Sequence, residues 1–381
     1  MPPHPLLITE TNPPDKGGMA ESCDRIVRGL QRGGAAVDVL HFDRRVAKPI
    51  IRNGAQGTHV RWPAEESAPH AINCAWNGMK AALDLEAITH VMAFGGATPV
   101  ACAPAFAAWL DRPLVTLLRG NELDSGLFDP RRRPLLDDAV ARSAAVCTVT
   151  TEQADKVAAL YPQAEVRVIA NGIDFELWQA TEGDRARGQT WRDAHANGRR
   201  VLGCFGHLKA KKGLPFFLDV LRRSGAADRF HLLLIGETEE LPLDGLSVTR
   251  LESVDRFDLI PFYLASDFVV IPSHYDGFPN VLIEAAALAR PALASRVGGM
   301  RDLVADGESA LLFDPGDEHG CRRAIVQAAS LPDDALTLLG RRAERAAHER
   351  CDARDESRHY LDLLHHTARI RRTACAERLS S

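Results

Sequence analysis

The sequence lacks the features that would indicate a membrane-spanning, exported or metal-stapled protein. No apolar run reaches the ~18 residues that a membrane-spanning helix needs. Residues 1–18 lack the basic and long apolar stretches of a signal peptide. The eight cysteines stand singly, without the Cys-x-x-Cys pair of a zinc site or a redox dithiol. We therefore expect a cytoplasmic protein whose thiols are reduced and mostly buried.

The chain also lacks an excess of positive charge. Its 381 residues include 46 lysines and arginines against 51 aspartates and glutamates, a net charge of −5. A dedicated nucleic-acid binder usually shows the opposite balance, so no nucleic-acid partner is expected. The Arg-rich segment 341–381 mixes acidic residues with its basic ones, and we interpret it as a solvated helix. Peripheral contact with the inner face of a membrane and a local nucleic-acid contact are its alternatives.

Short, nearly continuous apolar runs alternate with amphipathic stretches, which is typical of a parallel sheet with helices on both faces. The runs lie at 5–9, 36–42, 89–94, 113–118, 145–150 and 165–170, and then at 201–206, 231–236, 247–251, 268–272 and 291–295. A polar segment, 179–200, separates the two series. The sequence therefore predicts two Rossmann-like, doubly wound α/β domains, 1–180 and 198–350, facing across a cleft. A C-terminal helix is predicted at 351–381, and whether it packs back on the first domain stays open.

The segment 268–304 concentrates groups that suit a phosphate and a sugar. A buried strand ends in a polar loop with Asp276, and a helix begins near Asn280 and carries Glu284. A helix N-terminus offers unpaired N–H groups to a phosphate, and carboxylates accept hydrogen bonds from hydroxyl-rich ligands. The alternative is a loop acid together with a glutamate that only complements the helix dipole.

Two further loops follow predicted strands. The loop within 203–213 contains three lysines, of which Lys212 precedes a glycine and a helix. A lysine there is a compact cation for a diphosphate, and a solvated basic turn is the alternative. The loop 13–18 ends in Gly17 and Gly18, but it matches neither the dinucleotide-binding nor the P-loop pattern.

Together these motifs resemble those of the retaining glycosyltransferases of family 4, which have two Rossmann-like domains in the GT-B fold. The run 206–213 (GHLKAKKG) is similar to the family's G-R-L-x-x-x-K-G, and 276–284 is similar to its E-x(7)-E. The run 168–174 (VIANGID) resembles I-x-N-G-[VI]-D, and 297–317 resembles the family's downstream glycine-rich run. The resemblance covers residues 5 to about 350.

The resemblance implies a role for each matching residue. Lys212 would contact the donor diphosphate, Glu284 would hold the ribose hydroxyls, and Asp276 takes the place of the first family glutamate. His207 stands where the family has an arginine that shares the diphosphate, and a neutral histidine supplies fewer donors. Further donor contacts are implied at Gly17, Gly18, Gly206, Gly277, Phe278, Pro279 and Asn280, although Pro279 has no N–H to donate.

Arg119 follows the strand 113–118, where the family often places a histidine that lines the reaction centre. A guanidinium cannot act as a base near neutral pH, so Arg119 is expected to hold an anionic acceptor or the donor phosphate. The alternative is a structural pair between Arg119 and Glu122.

The implied activity is transfer of a hexosyl group from a UDP- or GDP-sugar to an acceptor hydroxyl, with retention. No metal or other cofactor is implied, and the sequence contains no Asp-x-Asp. The acceptor is expected on the first domain, near 53–80 and 95–105, and a small molecule, a glycan and a lipid-linked acceptor all stay open. Trp62 and Trp76 there would either stack on a sugar or pack in the core. A nucleotide-sugar epimerase and a non-catalytic nucleotide-sugar binder are the alternatives.

Overall fold

The computed structural model describes the chain except residues 1, 65–66, 207, 209–211, 238–239, 253 and 381, and it does not describe the side chains of 121 and 371–380. The chain forms two compact units. Unit 1 comprises Met1–Asn171 and Ala353–Ser381, and unit 2 comprises Gly172–Asp352. The chain therefore passes from unit 1 to unit 2 after Asn171, which is earlier than the predicted domain boundary at residue 180.

Unit 1 contains an eight-stranded sheet. Its strands are β1 Pro5–Thr9, β2 Asp38–Asp43, β3 Ile50–Gly54, β4 Gly57–Pro63, β5 His90–Phe94, β6 Leu114–Leu118, β7 Ser143–Thr148 and β8 Val166–Val168, in the order β3-β4-β2-β1-β5-β6-β7-β8. Leu6 and Ile8 of β1 enter one core cluster and Leu7 enters another, because successive side chains point to opposite faces. The continuous apolar runs of the sequence therefore reflect a sheet that is covered on both sides.

Helices alternate with these strands. They are α1 Gly18–Arg32, α2 Ala68–Gly78, α3 Ala97–Leu110, α4 Asn121–Phe128, α5 Arg133–Arg142 and α6 Thr151–Leu160. All described neighbours in the sheet pair in parallel except β3 and β4, which form an antiparallel hairpin. This hairpin was not predicted from the sequence. Its turn needs Gly57, where φ is +124° and a Cβ would lie 2.0 Å from the carbonyl oxygen of Val37.

Unit 2 contains a six-stranded parallel sheet, β11-β10-β9-β12-β13-β14. Its strands are β9 Arg200–Phe205, β10 Phe230–Ile235, β11 Val248–Leu251, β12 Phe268–Ile271, β13 Ala292–Ser295 and β14 Ala310–Phe313. Its helices are α7 Glu182–His195, α8 Leu214–Arg223, α9 Ile260–Ala265, α10 Asn280–Ala287, α11 Gly299–Leu303, α12 Glu318–Ser330 and α13 Asp333–Arg350. The prediction of two parallel-sheet α/β domains is confirmed, and β14 is a strand that the sequence analysis did not assign.

The polar segment 179–200 contains a regular helix, α7. Thr181 caps it: its hydroxyl accepts from the N–H of Asp184, and the Asp184 carboxylate accepts from the N–H of Thr181. This reciprocal pair satisfies two backbone donors at the helix start. The segment therefore forms part of unit 2, packed against α9.

The last helix, α14 Ala353–Ser380, belongs to unit 1 and packs on α1. Gly29 allows the close approach, since a Cβ there would lie 1.9 Å from the Ser357 hydroxyl. Between the two helices, Arg25 Nε donates to Glu356 Oε2 over 2.6 Å, and the two side chains are only 9% and 2% exposed. Within the described part of the chain, no helix combines the length and the apolar character needed to cross a membrane.

Candidate active site

The carboxyl ends of the neighbouring strands β9 and β12 bring two predicted catalytic residues together. Lys212 Nζ donates to Asp276 Oδ2 over 2.5 Å, and Ser273 Oγ donates to the same oxygen over 3.2 Å. The two loops approach closely because position 213 is a glycine: Gly213 has φ +68°, and a Cβ there would lie 1.9 Å from the carbonyl oxygen of Pro272. The lysine expected to bind a diphosphate is therefore anchored by the first acid of the D-x(7)-E pair.

Glu284 lies one turn into α10 and is 7% exposed. The Tyr263 hydroxyl donates to its Oε2 over 2.8 Å, and Arg256 Nε donates to its Oε1 over 3.3 Å. The indole N–H of Trp178 donates to the Glu284 carbonyl oxygen over 3.0 Å. Burial raises the pKa of the Tyr263 hydroxyl, and the neighbouring Glu284 raises it further, so Tyr263 acts as a donor here.

The loop between β12 and α10 is tightly organised. The Gly277 N–H donates to Asp276 Oδ1 over 3.1 Å, and the Gly277 carbonyl accepts from Gly299 over 2.7 Å. Phe278 is buried against Gly299, where a Cβ would lie 2.7 Å from the ring. The predicted donor contact at the Gly277 N–H is thus occupied by the Asp276 carboxylate in this structure.

The N-terminus of α10 follows directly. Pro279 is its N-cap, with no side-chain hydrogen bond to cap the helix, and Asn280 is its first residue. The structure therefore places Asp276, Gly277, Phe278, Pro279, Asn280 and Glu284 around one helix start, as the motif predicted. Their individual roles toward a donor stay predictions.

The remaining predicted donor contacts lie in two glycine-containing loops. Gly206 follows β9 with φ +96°, and its N–H donates to the Ile235 carbonyl over 2.9 Å. His207 lies outside the described residues. In unit 1, Gly17 is the N-cap of α1 with φ 111°, and Gly18 is the first residue of that helix. A glycine-lined helix start therefore follows β1, and its contact with a diphosphate stays a prediction.

Arg119 points into the interior of unit 1. Its guanidinium donates to the Tyr360 hydroxyl over 2.7 Å, to the side-chain oxygen of Asn171, and to Glu356 over 3.4 Å. Its side chain is 1% exposed. Burial raises the pKa of the Tyr360 hydroxyl, which stays protonated beside it. The predicted hold of Arg119 on an anionic acceptor or on the donor phosphate would therefore require this network to rearrange.

The side chains of Arg119 and Glu122 do not form the pair that was considered as the alternative. The Glu122 carboxylate instead accepts from three backbone N–H groups, those of Gly96, Arg119 and Gly120, over 2.8 to 3.1 Å. These groups lie at the carboxyl ends of β5 and β6, where parallel strands leave N–H groups for an anion. Glu122 itself fills this position.

A cavity of about 390 Å³ opens at the carboxyl ends of β1 and β2 in unit 1. Its lining includes Asp15, Asp43, Arg44 and Arg45. Burial opposes the ionisation of Asp43, but hydrogen bonds from Arg45 and Arg61 outweigh it and hold the pKa of Asp43 well below its usual value. These residues were not predicted from the sequence, although a run of charged residues directly after a buried strand was a usable signal.

A pair of histidines adjoins the lining of this cavity, since His41 Nε2 lies 3.1 Å from Asp15 Oδ2. The rings of His41 and His59 stack at 6.0 Å, and burial, reinforced by His41, lowers the pKa of His59 to about 4. His59 therefore stays neutral near pH 7. Among the described residues, no group of three or more histidines, cysteines and acids is placed to hold a metal ion.

Trp62 and Trp76 were predicted either to stack on a sugar or to pack in the core, and the structure shows core packing for Trp76. Trp76 stacks on Trp109 at 4.2 Å and meets Phe106 edge-on at 5.0 Å. Trp76 and Trp62 are both partly buried and pack against the same core cluster. The packing of Trp76 is thus explained by the core without a ligand.

Comparison with known families agrees with the motif assignment. The family description "Glycosyltransferase Family 4" matches residues 16–177, and "Glycosyl transferases group 1" matches residues 199–330. The chain belongs to glycosyltransferase family 4. The second match contains Lys212, Asp276 and Glu284 together.

Named relatives of this family 4 protein are distant. The D-inositol 3-phosphate glycosyltransferase of Saccharomonospora viridis is 29% identical over 232 residues, which cover 55% of this chain and 53% of that protein. The chain thus spans about half the length of this curated relative.

Solved structures share the fold over nearly the whole chain. Sucrose-phosphate synthase from Thermosynechococcus elongatus has a TM-score of 0.79 at 17% identity, covering 95% of this chain and 98% of its own. HepE from Anabaena, determined in complex with UDP-glucose, has a TM-score of 0.73 at 19% identity, covering 94% and 99%. At these identities the likeness establishes the GT-B fold of this family 4 protein.

Proposed function

We propose that this protein transfers a hexosyl group from a nucleoside-diphosphate sugar to an acceptor hydroxyl, with retention of anomeric configuration. The observation that carries the proposal is the pair formed by Lys212 and Asp276 beside the N-terminus of α10. A fixed cation and a helix start are a suitable environment for a diphosphate. Glu284 lies on the same helix, where its carboxylate can accept from the hydroxyls of a ribose.

The proposed mechanism is electrostatic. When the bond between the sugar and the diphosphate breaks, negative charge develops on the diphosphate, and Lys212 with the α10 N-terminus stabilises it. Lys212 has three N–H donors, and its hydrogen bond to Asp276 uses one, so two remain for phosphate oxygens. The acceptor hydroxyl attacks from the face that the diphosphate leaves, which gives retention. No side chain acts as a nucleophile, and we propose that no metal ion or other cofactor is needed.

The donor base is proposed to be uracil or guanine. The HepE structure was determined with UDP-glucose, which makes UDP-glucose the first donor to test. For the acceptor we propose a small polar molecule, because the cavity in unit 1 has about 390 Å³ and is lined by charged side chains. This volume lies within the usual range for small-molecule sites. The relative from Saccharomonospora viridis is named for inositol 3-phosphate, so polyol phosphates head the acceptor panel.

Nothing in these comparisons favours the nucleotide-sugar epimerase. The matched family descriptions and the relative named above are those of glycosyltransferases. An epimerase would convert a sugar nucleotide without any acceptor, so analysis of products in acceptor-free reactions separates the two activities.

The first experiment is a thermal-shift panel with UDP, GDP, ADP and their sugar conjugates. A nucleotide that binds the folded state should raise the melting temperature of the wild type by mass action. The shift should be lost in Lys212→Ala and kept in Lys48→Ala, which changes an exposed lysine of unit 1. A folded protein that responds to none of these nucleotides would contradict the proposal.

Turnover is then measured with the nucleotide sugar that gives the shift. We expect glycosyl transfer to one of the polyol phosphates, unchanged by EDTA, with a product of the same anomeric configuration as the donor by NMR. A shift without turnover on any acceptor would instead identify a nucleotide-sugar binding protein.

A further inference from the structure

Glu284 is surrounded by buried aromatic residues that pack against one another. Tyr263 and Trp178 are almost completely buried, and their rings meet edge-on at 5.9 Å. Tyr263 also stacks on Phe205, the last residue of β9, at 4.1 Å. On this side the carboxylate therefore has a fixed donor, the Tyr263 hydroxyl, and a fixed backbone, held by Trp178.

Arg256 approaches Glu284 from the other side. Its guanidinium lies 5.2 Å from the ring centre of Trp178 and 5.9 Å from that of Phe257, while Nε donates to Glu284 over 3.3 Å. Cation–π contacts restrict a long side chain that would otherwise sample many rotamers. In the described part of the chain, Arg256 is the cation that forms an ion pair with Glu284. Arg256 was not predicted from the sequence as a site residue.

The Glu284 carboxylate accepts one side-chain hydrogen bond on each of its two oxygens. A carboxylate has about four acceptor positions, two on each oxygen. Tyr263 takes one position on Oε2, and Arg256 takes one on Oε1. Counting only donors from the described residues, each oxygen can accept one more hydrogen bond, and two such adjacent acceptors suit two neighbouring hydroxyl groups better than one.

We propose that Arg256 is a positioning residue for Glu284. It holds the carboxylate so that each oxygen accepts a hydrogen bond from one hydroxyl of a ribose cis-diol. The site thereby selects ribonucleotide donors over 2′-deoxyribonucleotide donors. This inference rests on the proposed function, which places a nucleotide beside Glu284. Arg256 acts through the carboxylate and not on the sugar itself. A site built to hydrogen-bond a hydroxyl discriminates against the analogue that lacks it, because its own polar group is then left unpaired.

The selection is measured as a ratio of affinities. Isothermal titration of UDP and 2′-deoxy-UDP, or of GDP and 2′-deoxy-GDP if the panel favours guanine, gives this ratio for each variant. We expect the wild type to bind the ribonucleotide about tenfold more tightly, the scale of one charge-assisted hydrogen bond. In Arg256→Gln the ratio should fall to about two, because Glu284 loses the donor that orients it.

Three further variants separate positioning from a general effect on the fold. Arg256→Lys keeps the charge but not the planar guanidinium, so it should restore part of the ratio. Lys212→Ala should weaken both nucleotides equally and leave the ratio unchanged, since it contacts the diphosphate. Arg229→Gln, an exposed arginine of unit 2, is the matched control and should match the wild type.

The outcomes are distinguishable. If the wild type binds no nucleotide, the proposed function fails and this inference fails with it. If it binds ribo- and deoxyribonucleotides equally, or if Arg256→Gln keeps the wild-type ratio, only the inference is overturned. Should Arg256→Gln fail to fold by circular dichroism, Arg256→Lys decides: a ratio below that of the wild type supports positioning, and an unchanged ratio overturns it.

Discussion

The ion pair between Lys212 and Asp276 sets how the lysine meets a diphosphate. We expect Asp276→Asn to lower kcat by about tenfold or more, because the ammonium group loses its charge-assisted anchor. Affinity for the nucleoside diphosphate should stay the same or rise, since a negative charge next to the phosphate position is removed. Steady-state kinetics and a titration with the diphosphate measure the two effects separately.

Two variants control this prediction. Asp276→Glu restores the family's usual residue and keeps the charge, so it should retain most of the activity. Asp219→Asn removes a carboxylate of α8 that pairs with Arg223 at the surface, and kcat should not change. A wild-type kcat in Asp276→Asn would show that the pair does not position the lysine.

At this scale the sequence predicted the candidate residues but not their partners. Motif spacing predicted that Asp276 and Glu284 lie at one helix start, because the seven positions between them span a loop and a helical turn. The donors to Glu284 come from positions 21, 28 and 106 residues away in the chain. Such contacts depend on which strands are neighbours in the sheet, and no local pattern contains that information.

One element, α14, is attached to unit 1 by a buried charge network. Arg25 and Arg119 share the carboxylate of Glu356, whose side chain is 2% exposed. We expect Glu356→Gln to lower the free energy of unfolding of unit 1 by about 3–5 kcal/mol, because two guanidinium groups that are shielded from solvent lose the carboxylate that they share. Urea denaturation followed by circular dichroism measures this loss.

A surface substitution in unit 1 is the control. Asp138 of α5 pairs with Arg142 at the surface, and Asp138→Asn should change the free energy of unfolding by less than about 1 kcal/mol. If Glu356→Gln lowered the free energy of unfolding by as little as the control does, water would have to reach the two guanidinium groups. The charge network would then not be what attaches α14 to unit 1.

The elements themselves were predictable where the burial pattern is simple. Strands such as β5 and β10 are buried at every position, so they appear in the sequence as continuous apolar runs. The strand β3 is exposed along most of its length at the edge of the sheet, and its residues carry no such signal. Its hairpin partner β4 is half-buried and mixes polar with apolar residues. The apolar pattern therefore missed this hairpin, whereas β14 is a short apolar run, buried at every position, that was left unassigned.

At the scale of the whole molecule, the chain passes between the units twice, after Asn171 and after Asp352. Unit 2 is continuous in sequence, whereas unit 1 is completed only by α14. We expect a fragment 172–352 to fold alone, since it contains its own sheet and core cluster. A fragment 1–171 should not fold, because the core residues that pack on Tyr360 and Leu364 are exposed and the charges of Arg25 and Arg119 are uncompensated.

Joining residues 1–171 to 353–381 through a flexible linker tests the cause. We expect this fusion to recover a cooperative thermal transition that the fragment 1–171 lacks, because α14 restores both the apolar cover and Glu356. The same fusion carrying Glu356→Gln should melt at a lower temperature, which links the transition to the native contacts of α14. A cooperative transition in the fragment 1–171 alone would show that unit 1 is stable without its C-terminal helix, and α14 would then be an attachment to the fold and not a part of it.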